Sequence, residues 1–140
     1  MLAMFPCRPD RHERLIALAG TTGTMTLMVC ASGGTTFALG ALELADPGAA
    51  TAALAGMRAA MVDNLGGALL HAAAWEIRGM APNAQAARIS AQGRLPDGTA
   101  VRQEAAFFAR GLRVYQASVI SPKIDRDAAE TFFAGLKLIS

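Results

Sequence analysis

From Arg14 to Leu44 the chain is dominated by β-branched and apolar residues, broken at two points, Gly20-Thr21-Thr22-Gly23 and Gly33-Gly34. Runs punctuated in this way predict three strands in antiparallel series. With Gly33-Gly34 as a two-residue hairpin loop, Cys30 falls opposite Phe37 and Met28 opposite Leu39, all on one face, so Cys30 is expected to be buried. The pattern then changes period. Asp46 is a suitable N-cap, Pro47 suits the first helical position, and Gly66-Gly67 supplies a stop, which predicts a helix over residues 47–66. Leu54, Met57, Met61, Val62 and Leu65 share one face of it, while Ala52, Gly56, Ala59 and Asp63 lie opposite. Arg58 falls inside the apolar stripe by angle. Its stem is expected to run along the sheet with the charge at the edge, the alternative being a buried anion.

A fourth strand is expected at Ala73–Met80. The clearest local signal follows: Leu95-Pro96-Asp97-Gly98-Thr99 between two alternating runs, a hairpin with Pro96 and Asp97 in the turn and Gly98 in the left-handed position. Pairing Leu95 with Thr99 gathers Ile89, Ala91, Leu95, Val101, Ala105 and Phe107 on a core face. Arg88, Ser90, Gln92, Arg94, Arg102 and Glu104 take the other, solvated face. A turn near Gly111 returns residues 113–120, placing Tyr115, Ala117 and Val119 beside Ala106 and Phe108. Apolar residues on both faces at this end call for a second covering layer. A last helix provides it, with Asp127 and Glu130 as a capping-box-like start and Ala129, Phe132, Phe133 and Leu136 as its apolar face. Lys137-Leu138-Ile139 ends the chain as a short strand. The expected fold is α+β, an antiparallel sheet with helices on both faces, in the order β-β-β-α-β-β-β-β-α-β.

Length makes this one domain, residues 1–140, large enough to bury a continuous core. A composition of 53% hydrophobic and 17% charged residues excludes a disordered chain, because the apolar surface can offset chain entropy. A net charge of +2 is too small for the broad positive field that nucleic acids or anionic lipids attract, so no nucleic-acid partner is expected. Thr, Gly, Arg or Glu interrupts every apolar stretch before membrane-spanning length, so no span is expected. Met1–Arg8 lacks a basic region followed by an apolar one, so no signal peptide is legible in the chain as given.

Little of this composition reads as catalytic. Nucleophilic catalysis needs a base beside Ser, Thr or Cys, and only His12 and His71 offer an imidazole, neither in a recognisable motif. His12 is expected in a solvated connection and His71 just after the first helix, hydrogen-bonding locally. The His and Cys residues are scattered without metal-ligand spacing, and no phosphate-binding glycine loop occurs, so neither metal nor cofactor is expected. Arg88, Arg94 and Arg102 form a modest basic patch suited to carboxylates or phosphates, against the simpler reading of a solvated sheet face. Trp75, the only tryptophan, is expected at the edge of the core. Cys7 and Cys30 admit three readings: a structural disulfide, two buried thiols, or a redox couple.

The segment Phe107-Phe108-Ala109-Arg110-Gly111-Leu112-Arg113-Val114-Tyr115-Gln116, leading to Phe132-Phe133-Ala134-Gly135-Leu136-Lys137-Leu138, resembles the PsbP-like superfamily. Bacterial members often carry an aromatic strand followed by a helix that ends in a Phe-Phe pair and spaced leucines. Gly135 stands where Ser is commoner in that pattern. Phe5-Pro6-Cys7-Arg8-Pro9 with Val29-Cys30 further resembles small exported proteobacterial proteins of this type, which implies a Cys7–Cys30 disulfide and a periplasmic or otherwise exported location, the cytoplasm being the alternative. The resemblance implies an α/β/α sandwich and a non-catalytic accessory or partner-binding role, as monomer or homodimer, and it carries over no catalytic residue. Two rival functions are a carrier of small apolar ligands, using a cleft between helix 47–66 and the sheet, and an unrecognised hydrolase using His71 or His12.

Overall fold

The computed structural model describes residues 1–18 and 21–138, with Leu18 and Thr21 described by backbone alone. Among the described residues seven strands form: β1 (Asp10–Leu18), β2 (Thr21–Ser32), β3 (Thr35–Glu43), β4 (Ala68–Ala74), β5 (Ala87–Arg94), β6 (Ala100–Arg110) and β7 (Arg113–Ser121). Two α-helices, α1 (Ala50–Leu65) and α2 (Arg126–Ala134), follow β3 and β7 respectively. The strands make one antiparallel sheet in the order β1-β2-β3-β7-β6-β5-β4. The fold is thus mixed α+β. β1 to β3 form one meander and β4 to β7 another; α1 carries the chain from β3 to the far edge, and the second meander returns to pair β7 with β3.

Local chemistry explains the elements. Asp46 caps a 3-10 turn (Pro47–Ala49) by accepting a hydrogen bond from the Gly48 N–H, and α1 continues from it. Gly66 ends α1 in the left-handed conformation at φ 56°, donating its N–H to the Asp63 carbonyl. Gly67 and Gly93 then let the chain cross β5 closely: a Cβ on Gly67 would overlap the Gln92 carbonyl, and one on Gly93 would overlap Leu65. The hairpin between β5 and β6 closes as its residues dictate, with the Leu95 N–H donating to Thr99 O at 2.9 Å and Gly98 at φ 89°.

Two apolar clusters cover the sheet. Ala53, Leu54, Met57, Met61 and Leu65 of α1 join Leu42, Ile89, Ala91, Val101, Ala105, Phe107 and Val114 in the first. Ala129, Phe132 and Phe133 of α2 join Phe37, Leu39, Ala106, Phe108, Tyr115, Ala117 and Val119 in the second. β6 supplies Ala105 and Phe107 to one and Ala106 and Phe108 to the other. The predicted stripe of α1 is buried apart from Val62, which is half-buried. Arg58 is half-buried and donates to Gln85 Oε1 at 2.8 Å. Cys30 pairs with Phe37 and Met28 with Leu39, and Cys30 is 2% exposed. It is bonded to Cys7, with Cα atoms 5.8 Å apart. The segment before β1 lies over the α2 cluster: Phe5 meets the Phe132 ring at 5.5 Å, and Leu2 bridges to Lys137.

Several expectations need correction. The strand expected at 73–80 is β4 at Ala68–Ala74; Trp75, Ile77 and Met80 instead pack as a loop against the α2 cluster. An Ala-Leu-rich segment carries weak strand propensity, and its position depends on the sheet it joins. β1 begins at Asp10, so His12 lies in a strand and not in a connection. Thr21, Thr22 and Gly23 belong to β2, and Gly20 lies outside the described residues. Leu95 sits at the exposed hairpin tip, outside the core. α2 is capped by Asp125, which accepts from the Asp127 and Ala128 N–H groups, and Glu130 takes another partner altogether. The expected final strand is reduced to the bridge at Lys137, and Ile139 lies outside the described residues.

Candidate binding cleft on the β4–β6 face

Alternation along β5 and β6 puts Arg88, Ser90, Gln92 and Arg94 on the same face as Arg102 and Glu104, since Arg88 pairs with Ala106, Ser90 with Glu104 and Gln92 with Arg102. α2 and its Phe pair cover only the end of this face nearest Arg88. Beyond α2 an open cleft of about 950 Å³ is lined by His71 and Ala73 of β4, by Arg88, Ser90, Arg102 and Glu104, by Lys123 of the β7–α2 loop, and by Arg126 and Glu130 of α2. A second hollow of about 760 Å³ shares Arg102 and Pro122 with it and runs on to Gln92 and Arg94. The first volume is at the upper end of the range of ligand sites.

Glu104 was expected in solvent, yet it is 8% exposed. Burial of its carboxylate is offset by two guanidinium partners. Arg88 donates to Glu104 Oε1 at 3.0 Å, and Arg126 contacts Glu104 Oε2. Arg88 also forms a two-pronged pair with Glu130 at 2.6 and 3.0 Å. Its guanidinium lies 4.3 Å from the Phe133 ring centroid and 6.0 Å from that of Trp75. Hydrogen bonding to Glu130 raises the Arg88 pKa despite partial burial, and Arg88 in turn holds the Glu130 carboxyl below the usual carboxylate range.

The three arginines singled out in the sequence therefore have different roles. Arg88 is locked in an ion network that ties α2 to the sheet. Arg94 donates to the Gly98 carbonyl at 2.8 Å and braces the hairpin turn. Of the three, only Arg102 is exposed with neither an ion pair nor a side-chain hydrogen bond among the described residues, and the Lys123 side chain shares that condition. The cleft thus offers two uncommitted cations beside a satisfied network, an arrangement suited to a carboxylate or phosphate. The sequence reading did not place Lys123, Arg126 or Glu130 in the cleft, and it gave Glu130 a capping role, because they reach the cleft through the β7–α2 connection and no local spacing marks that.

Elsewhere the candidates separate. His71 is exposed on β4 at the cleft wall, and His12 is on β1 at the opposite edge of the sheet, so the two do not meet. Trp75 packs edge-on against Phe133 at 6.1 Å, in the core-edge position expected of it. Between α1 and the sheet the space is largely filled by Leu54, Met57 and Phe107; an opening of about 280 Å³ remains beside Ile16, Met25, Met57 and Met61. Among the described residues, no group of His, Cys, Asp and Glu is placed to hold a metal ion, and no helix is long and apolar enough to cross a membrane. No family model matches the chain, and no curated protein matches it.

Proposed function

We propose that this chain is an exported, non-catalytic binding module that holds an anionic part of a protein partner in the β4–β6 cleft. The observation that carries the reading is the pairing of uncommitted Arg102 and Lys123 with a pre-organised ion network in one open cleft of about 950 Å³. Side chains held by neighbours before binding lose little freedom on binding. The disulfide supports export, since such bonds persist in oxidising compartments. A PsbP-like α/β/α sandwich, with α1 and α2 on opposite faces, is the architecture we infer; it rests on the alternation of β6 between the two clusters.

Titration with a polyglutamate peptide, followed through the fluorescence of Trp75, whose ring centroid lies 6.0 Å from the guanidinium of the cleft residue Arg88, tests the reading. A saturable response that weakens with salt and is lost in an Arg102→Glu/Lys123→Glu double variant is the expected result. No response, or an equal response in the variant, overturns it.

A further inference from the structure

The two edges of the sheet are guarded very differently. β1 opens with Asp10, Arg11, His12, Glu13 and Arg14, the charged residues that discourage another strand from pairing there. β4, at the other edge, reads Ala68-Leu69-Leu70-His71-Ala72-Ala73-Ala74 and carries no Asp, Glu, Lys, Arg or Pro. All seven residues are exposed; Leu69 is 50% and Leu70 44% exposed. Its inner side pairs with β5, with a bulge between Leu69 and His71, and no described strand pairs with its outer side. An apolar edge of this length, interrupted by one bulge but by no Asp, Glu, Lys, Arg or Pro, is a template for strand addition.

We infer that β4 receives an extended segment of a partner polypeptide bearing acidic side chains, which adds as an eighth strand; this rests on the cleft reading above and names the form its partner takes. The charge of the neighbourhood selects the occupant. His71 and Ala73 of β4 line the same cleft as four cations, Arg88, Arg102, Lys123 and Arg126, against two carboxylates, Glu104 and Glu130, which leaves a net of two positive charges. An added strand lies about 14 Å, three strand spacings, from β6, which carries Arg102, and long glutamate and arginine side chains reaching toward each other across the cleft shorten the gap between their charges to roughly one Debye length. Acidic side chains gain there and basic ones lose. A second copy of this chain is the poorer occupant. Antiparallel pairing of two β4 strands about a two-fold axis normal to the sheet would bring two basic clefts together on one face, with like charges across the seam.

The test uses two fluorescein-labelled peptides of about ten residues, one alternating Val and Glu and the other Val and Lys, with the intact oxidised protein. Anisotropy reads affinity, amide hydrogen exchange reads residues 68–74, and sedimentation reads mass. The Val-Glu peptide is expected to bind at least about tenfold more tightly than the Val-Lys peptide and to slow exchange at alternate β4 amides, with the Arg102→Glu/Lys123→Glu variant losing about that factor. Binding of the Val-Glu peptide with β4 exchange unchanged overturns strand addition and leaves the cleft reading standing. Equal affinities, or no binding by either peptide, overturn strand addition too, and the polyglutamate titration then decides the cleft separately. A dimer whose β4 amides are protected without peptide shows that a second copy holds the edge, and overturns the proposal.

Discussion

Arg88 concentrates three interactions in one guanidinium: Glu104, Glu130 and the Phe133 ring. Arg88→Met keeps the stem but leaves the mostly buried Glu104 with Arg126 alone. The expected cost is about 2 kcal/mol in urea unfolding, less than for a fully buried pair because the network opens to the cleft. Arg88→Lys is expected to recover only part of it, since an ammonium cannot make the two-pronged bond to Glu130. The pH dependence follows from Glu130. Its folded pKa is depressed by Arg88, so its contribution is fully present above the ordinary glutamate value of about 4.3 and is lost as pH falls through the lower folded value. Unfolding measured across the acid range should therefore show stability dropping below about pH 4.5, with a shallower drop in Glu130→Gln. An equal slope in the two proteins would remove Glu130 from the acid response.

At the scale of elements, the crossing of α1 over β5 is the joint that delivers β4 to the edge. Gly67 and Gly93 meet backbone there, so neither neighbour can yield as a long side chain could. Gly93→Ala is expected to cost at least about 2 kcal/mol. Gly98→Ala, at a hairpin tip with open space around it but φ 89°, should cost about 1 kcal/mol through backbone strain alone. Equal costs at the two sites, measured by thermal and urea unfolding, would deny the close crossing. α2 is the opposite kind of element: nine residues long, it is held by Phe132 and Phe133 on the sheet and by Glu130 on Arg88, so its position comes almost wholly from tertiary contacts.

Across the whole molecule the disulfide joins the segment before β1 to the face that α2 occupies, and that segment also bridges to Lys137 just after α2. It works as a strap over the second cluster. With a sequence separation of 23, the bond should stabilise by about 3 kcal/mol in the chain-entropy account. Urea midpoints of oxidised protein and of a Cys7→Ser/Cys30→Ser variant should differ accordingly, and residues 1–6 should become accessible to proteolysis in the variant. Intact mass of non-reduced protein after alkylation gives the simplest check: two modified thiols would mean that no bond forms. The cleft lies away from the strap, so polyglutamate binding should survive the double substitution at temperatures where the fold is intact.

The sequence by itself determined the parts governed by local chemistry. Turn residues such as Gly33-Gly34 and Pro96-Asp97-Gly98 set the register of two hairpins, and alternation then assigned Cys30, Ile89 and Phe107 to the interior and Arg102 to the surface. Helix-period spacing likewise identified the buried stripe of α1. Tertiary structure alone decided that the Ala-Leu segment after α1 is an edge strand, that Glu104 is buried, and that Lys123, Arg126 and Glu130 join Arg88 in one cleft. The physical reason is the same in each case. Hydrogen-bonded turns and side-chain periods act over a few residues, whereas burial and ion pairing depend on partners 16 to 42 positions away, which only the assembled sheet and α2 bring within reach.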